Sequence, residues 1–180
     1  MRHIKFISIL LVFLPYLNSF GQRIYETNPN LLRTNNWYFG NKNSVKFIKN
    51  NQKDSTILNS VEATSVFSNK LGRAILYTNG ETVWDSLNNV VANGLLGNQS
   101  SNMGSVFCYF EKDSILYLFN TNYALTSTKE LSYCKFKVNY NGIQIINKNI
   151  VLNTLIAEPL VLVNSNDNNS KWLISHGFNN

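Results

Sequence analysis

Gly72-Arg73-Ala74-Ile75-Leu76-Tyr77-Thr78-Asn79-Gly80-Glu81-Thr82-Val83-Trp84-Asp85 is the stretch that decides the fold. Two short apolar runs, Ile75-Leu76-Tyr77 and Val83-Trp84, flank an Asn-Gly pair. Asn-Gly between alternating apolar segments is the strongest short-range signal for a β-hairpin, because a type I′ turn needs positive φ at both central residues. The same pattern recurs around Asn141-Gly142, between Phe136-Lys137-Val138 and Ile143-Gln144-Ile145, and Lys112-Asp113 makes a third tight reversal.

Outward from these hairpins, nearly every apolar run is short, close to alternating, and bounded by Asn, Gly, Ser or Asp, which is how strands read. Strands are expected near 36–40, 44–48, 62–68, 73–78, 81–86, 104–111, 114–120, 130–138, 142–151, 158–163 and 171–176, and no amphipathic helix stands out. Thirty Asn residues supply turns throughout the 180-residue chain. The apolar share of 44% supports a core, and the aromatic share of 13% suits strands.

An internal repeat overlies the hairpins. Ser65-Val66-Phe67 returns as Ser105-Val106-Phe107, and Ile75-Leu76-Tyr77 as Ile115-Leu116-Tyr117, both at an offset of 40. A looser third copy starts at Pro159, with Leu160-Val161-Leu162 and Trp172-Leu173-Ile174. A period near 40 with about four strands per unit is the signature of propeller blades. The expectation is an all-β, WD-repeat-like incomplete β-propeller of about three four-stranded antiparallel blades, divided near 36–60, 61–103, 104–151 and 156–180. A β-sandwich is the alternative, because two sheets can close a core in this length.

Residues 1–21 read as a secretory signal peptide: Arg2 and Lys5, the apolar run Phe6 to Leu14, Pro15, then Ser19-Phe20-Gly21. Cleavage is expected before Gln22. The run is shorter than the roughly 20 residues that span a bilayer, so no stable membrane span is expected after cleavage. The net charge of +6 falls when Arg2 and Lys5 leave, and the remaining basic residues are scattered, which argues against a nucleic-acid groove.

Little in the sequence points to catalysis, a metal or a cofactor. His176 is the only histidine after the leader, so any triad would have to use it, but its place at a strand end suits a structural hydrogen bond, and with Cys108 and Cys134 far away it makes a poor zinc site. The ten acidic residues form no evident acid–base pair. Asn164 to Asn168 holds one carboxylate and no glycine, which does not make a calcium loop. Trp84 is expected in a blade core rather than in an Asp-box or WD motif. Cys108 and Cys134 fall two strands apart within one blade, about 10 Å at the usual strand spacing. Both are therefore expected as free, buried thiols.

Four segments carry a resemblance: Asn36-Trp37-Tyr38-Phe39-Gly40 with Val45-Lys46-Phe47; the hairpin 72–80 with Val83-Trp84-Asp85; Asn93-Gly94-Leu95-Leu96-Gly97 with Ser100-Ser101; and Lys171-Trp172-Leu173-Ile174-Ser175-His176. In this order they resemble the N-terminal propeller region of gliding-motility-associated bacterial surface proteins, cargo of the type IX secretion system with type B sorting. Met103 departs from the family pattern, as does Asn-Gly in place of Asp-Gly. The resemblance implies an exported, non-enzymatic module for adhesion or interaction at the outer cell surface, with an unknown surface glycan or protein as partner. The family's further blades and sorting domain are missing here, so the chain is expected to be a fragment or a truncated reading frame, with the missing blades of the full-length propeller among its partners. A truncated secreted enzyme acting on glycans is the alternative. Asp54-Ser55-Thr56, Asp85-Ser86-Leu87 and Asp113-Ser114-Ile115 resemble the acceptor motif of bacterial O-glycosylation, which makes Ser55, Ser86 and Ser114 candidate acceptors. In an incomplete ring the first and last blades leave apolar faces uncovered. Trp37, Phe39, Ile75, Tyr77, Trp84, Phe107, Leu118, Phe136 and Trp172 are the residues expected on blade faces.

Overall fold

The computed structural model describes residues 32–47, 56–122, 129–166 and 170–177. Its named elements are all strands: β1 (Asn36–Phe39), β2 (Asn43–Lys46), β3 (Ser65–Ser68), β4 (Ala74–Thr78), β5 (Val83–Asp85), β6 (Val90–Ala92), β7 (Ser105–Phe110), β8 (Ile115–Thr121), β9 (Leu131–Asn139), β10 (Gly142–Asn153), β11 (Val161–Asn164) and β12 (Lys171–Ile174). They form four antiparallel sheets in chain order: β1-β2, β3-β4-β5-β6, β7-β8-β9-β10 and β11-β12. Every expected strand is present with its ends shifted by a few residues. β6 was not expected, because Val90-Val91-Ala92 is too short between Asn89 and Asn93 to show a period. Two four-stranded sheets fall within the expected units 61–103 and 104–151, β10 running on to Asn153. The flanking units carry two named strands each among the described residues, not four.

Both Asn-Gly hairpins form, but neither is a two-residue type I′ turn. β4 and β5 are closed over four residues, and only Gly80 takes positive φ, +88°. Asn79 Oδ1 instead accepts from the backbone N–H of Glu81 and Thr82 (3.1 and 2.9 Å), so the side chain does the work that a second positive φ would have done. At the second hairpin, Gly142 pairs with Asn139, so Tyr140 and Asn141 make the reversal and Gly142 follows at φ +129°.

The core follows from ladder parity, because partners across antiparallel strands share a face. Phe67 pairs with Leu76, and Val83 with Thr78 and Ala92, placing Phe67, Leu76, Val83 and Ala92 on one face. That face packs on Leu116, Leu118, Cys134 and Phe136 of the next sheet. Leu76, Leu116, Leu118 and Phe136 are fully buried there, each stabilising by about 1.5–3 kcal/mol. On the opposite face, Tyr77 and Trp84 stack at 5.3 Å, and Tyr38 of β1 meets Tyr77 edge-on at 5.0 Å.

β3 and β7 run side by side in one direction: Phe107 N–H donates to Ser65 Oγ (3.3 Å), Phe67 lies 4.9 Å from the Tyr109 ring, and Lys70 reaches Glu111. β11 starts beside the start of β7, where Leu160 N–H donates to Met103 O (3.2 Å). The sheets thus follow one another in sequence order. The end sheets leave apolar side chains in the open: Trp37 and Phe39 on β1, and Val161, Val163, Trp172 and Ile174 on the shared outer face of β11-β12, Trp172 being 65% exposed.

The repeat at offset 40 does not mark rotationally equivalent positions. Phe67 and Phe107 point at each other in the same inter-sheet core, ring centroids 6.4 Å apart, and Leu76 and Leu116 share that core. Residues related by rotation about a common axis would instead point in the same sense around it. The face toward the preceding sheet is taken by Val66 in one sheet and Phe107 in the next, an odd offset, and an odd offset flips a strand residue to the other face. The second tripeptide is also out of register: Leu76 is the partner of Phe67, whereas Leu118, not Leu116, is the partner of Phe107.

Candidate binding cleft between the central sheets

At one end of the two central sheets the β3–β4 and β7–β8 turns lie together. The first is built by Asn69, whose Oδ1 accepts from Leu71 and Arg73 N–H (2.9 and 3.0 Å). Gly72 closes it at φ +71°, where a side chain would come within 3.0 Å of Leu32 O. In the second, Ser114 N–H donates to Glu111 O (3.1 Å). Between them opens a cleft of about 270 Å³. Its floor is apolar: Phe67, Ile75, Tyr109 and Val138.

The rim is charged. Arg33 Nη1 donates to Ser68 O (2.9 Å), and the guanidinium lies 5.7 Å over the Tyr109 ring with Nη2 3.9 Å from Glu111. Lys70 Nζ stands 2.6 Å from Glu111 Oε1. The Lys70 ammonium holds the Glu111 carboxyl below its ordinary range, with Arg33 adding to the effect. Glu111 is more than half exposed, so the pairs contribute little to stability and mainly place charge. Two cations against one carboxylate leave the rim positive. The arrangement can bind through an apolar floor and charged donors.

The residues singled out in the sequence fall elsewhere. His176 is exposed, its Nδ1 3.0 Å from Gly177 O. Among the described residues no three His, Cys, Asp or Glu cluster closely enough to hold a metal ion. Cys108 and Cys134 are free and buried. Their ladder partners are Tyr117 and Leu118, adjacent residues of β8, so the two thiols point to opposite faces of one sheet as well as lying two strands apart. Burial pushes the Cys108 thiol up to about 11 and raises Cys134 as well. Ser86 is exposed in a turn where Asp85 Oδ1 accepts from Leu87 and Asn89 N–H. Ser114 is half-buried at φ +54°, and Ser55 lies outside the described residues. Asn164 closes β11 and accepts from Lys171, while 167–169 lie outside the described residues. Trp84 sits in the core, as expected. The cleft was not visible beforehand, because its charges come from three separated segments and read singly as solvated surface.

No protein family, curated protein or solved structure matches this chain.

Proposed function

We propose that this chain is an exported, non-enzymatic interaction module of the outer cell surface, built as part of a β-propeller. The observation that carries the reading is the sheet-on-sheet order: four sheets follow one another along the chain, β3, β7 and β11 run alongside in sequence, and both end sheets turn apolar faces outward. A two-layer sandwich would end at its two sheets. Here each four-stranded sheet has a further sheet beside it, which favours a radial stack continued by more blades. Rigid strands carrying turn-borne charges suit binding rather than chemistry. The leader-like residues 1–21 and the family resemblance support an exported module with a surface glycan or protein as partner.

Expression with the native leader in a bacterium that has type IX secretion tests this. The mature N-terminus should be Gln22, and protease added to intact cells should remove the protein. Retention of Met1, or protection from protease in whole cells, would refute it. The propeller part has its own test. A monomer that melts in one sharp transition without binding a hydrophobic dye would make the β-sandwich the better description.

A further inference from the structure

We infer that the cleft between the β3–β4 and β7–β8 turns binds a small apolar carboxylate, one ring or branched side chain in size with a single acidic group. The inference rests on the binding-module reading and adds the ligand chemistry. At about 270 Å³ the cleft sits just below the usual range of ligand sites, which suits one ring rather than a drug-sized molecule. Phe67, Ile75, Tyr109 and Val138 offer an apolar floor with edge and face contacts for a ring.

The rim selects the charge. Arg33 uses one donor on Ser68 O and keeps a long 3.9 Å approach to Glu111, so most of its planar fork is uncommitted. A guanidinium fork matches a carboxylate in a bidentate way. Glu111 holds Lys70 at 2.6 Å, directly beside the opening. An incoming carboxylate meets two cations and one anion, a net attraction, whereas an incoming ammonium loses that attraction. The same chemistry occurs in free aryl or alkyl acids and in the C-terminal residue of a polypeptide with an apolar side chain.

The full chain is titrated with phenylacetate, N-acetylphenylalanine, phenylethanol and phenethylammonium, following Tyr109 and Ile75 by NMR. Both acids should bind with a Kd near 1 mM. The alcohol should bind about tenfold more weakly, as expected for losing one charge-assisted hydrogen bond, and the amine should not bind. The stronger of the two acids identifies the source, a chain end for N-acetylphenylalanine and a free acid for phenylacetate. Arg33→Gln should weaken acid binding about tenfold. Glu111→Gln should tighten it, since it removes the competing anion and leaves the floor intact. Equal binding of acid and alcohol, weaker acid binding in Glu111→Gln, or no response at Tyr109 overturns the inference. Should Arg33→Gln unfold, the Glu111→Gln result still decides. A surface-exposed protein that ignores both acids would sink this inference and leave the module reading standing.

Discussion

Replacing Tyr77 tests whether β1-β2 really packs on the central sheets. Tyr77 is 1% exposed, stacks on Trp84, meets Tyr38 edge-on, and donates its hydroxyl to Asn88 Oδ1 at 2.6 Å. Tyr77→Phe removes the hydroxyl alone. Asn88 is partly open and can rehydrate, but buried Thr56 and the Ile57 backbone also bond this hydroxyl, so the cost should be about 1–3 kcal/mol, or about 2–4 °C of melting temperature per kcal/mol in a chain of this length. Tyr77→Ala empties a closed site, which costs about 3–5 kcal/mol for a buried aromatic, and should lower the transition by about 10 °C or more. Tyr38→Ala alone should cost less, because Tyr38 covers one side of the cluster. The double variant should then fall short of the sum by about 0.5–1.5 kcal/mol, the coupling of one aromatic pair. Thermal and urea unfolding followed by circular dichroism and tryptophan fluorescence measure all four. Additive effects of Tyr38→Ala and Tyr77→Ala would show that β1 does not rest on β4 and β5, and the chain-order stacking would lose its first joint.

Gly97→Ala should destabilise by about 1–3 kcal/mol, since a Cβ there would lie 2.3 Å from Gly80 O and 2.9 Å from Gly80 C, backbone atoms that cannot swing away; an unchanged melting temperature would contradict this approach of loop 93–97 to the hairpin. Alkaline stability should decline from about pH 9. The folded thiol of Cys108 titrates near 11, above its unfolded value, so its contribution is complete below about pH 8.5 and is lost as pH climbs toward 11; the raised Tyr77 phenol adds to the loss above pH 10. Unfolding free energy measured from pH 7 to 11 checks the trend, and a flat profile would refute it. Val163→Lys with Trp172→Ser should reduce dye binding and self-association with little change in melting temperature, because both side chains lie on the open face of β11-β12; sedimentation velocity would show it, and a sharp loss of stability would mean that face is covered.

Strand positions were legible in the sequence because short alternating runs between Asn and Gly have one reading. Val90-Val91-Ala92 escaped it, too brief for any period. The hairpins were legible but their turn geometry was not: Asn79 solves its turn through a side-chain oxygen, a choice invisible in the Asn-Gly pair itself. The offset-40 repeat looked like blade equivalence, yet face depends on a single residue of register, and sequence similarity does not fix that. Tyr77, Trp84, Leu118 and Phe136 are buried where sheets pack face to face, as expected of strand faces in a core, whereas Trp37, Phe39 and Trp172 are exposed. The cleft was beyond reach: Arg33, Lys70 and Glu111 meet only because β3 and β7 run alongside each other.

β10 is twelve residues long and forms the outer edge of its sheet, its far side unpaired among the described residues. Ile145, Ile150 and Val151 are partly exposed along it, a combination that invites another strand to add on. Three register shifts, after Ile145, Asn147 and Val151, interrupt its ladder, and Asn149 turns to φ +57° in their midst. An incoming strand would find no uninterrupted row of donors and acceptors to copy. Strand addition along β10 is thereby disfavoured by the geometry of the strand itself.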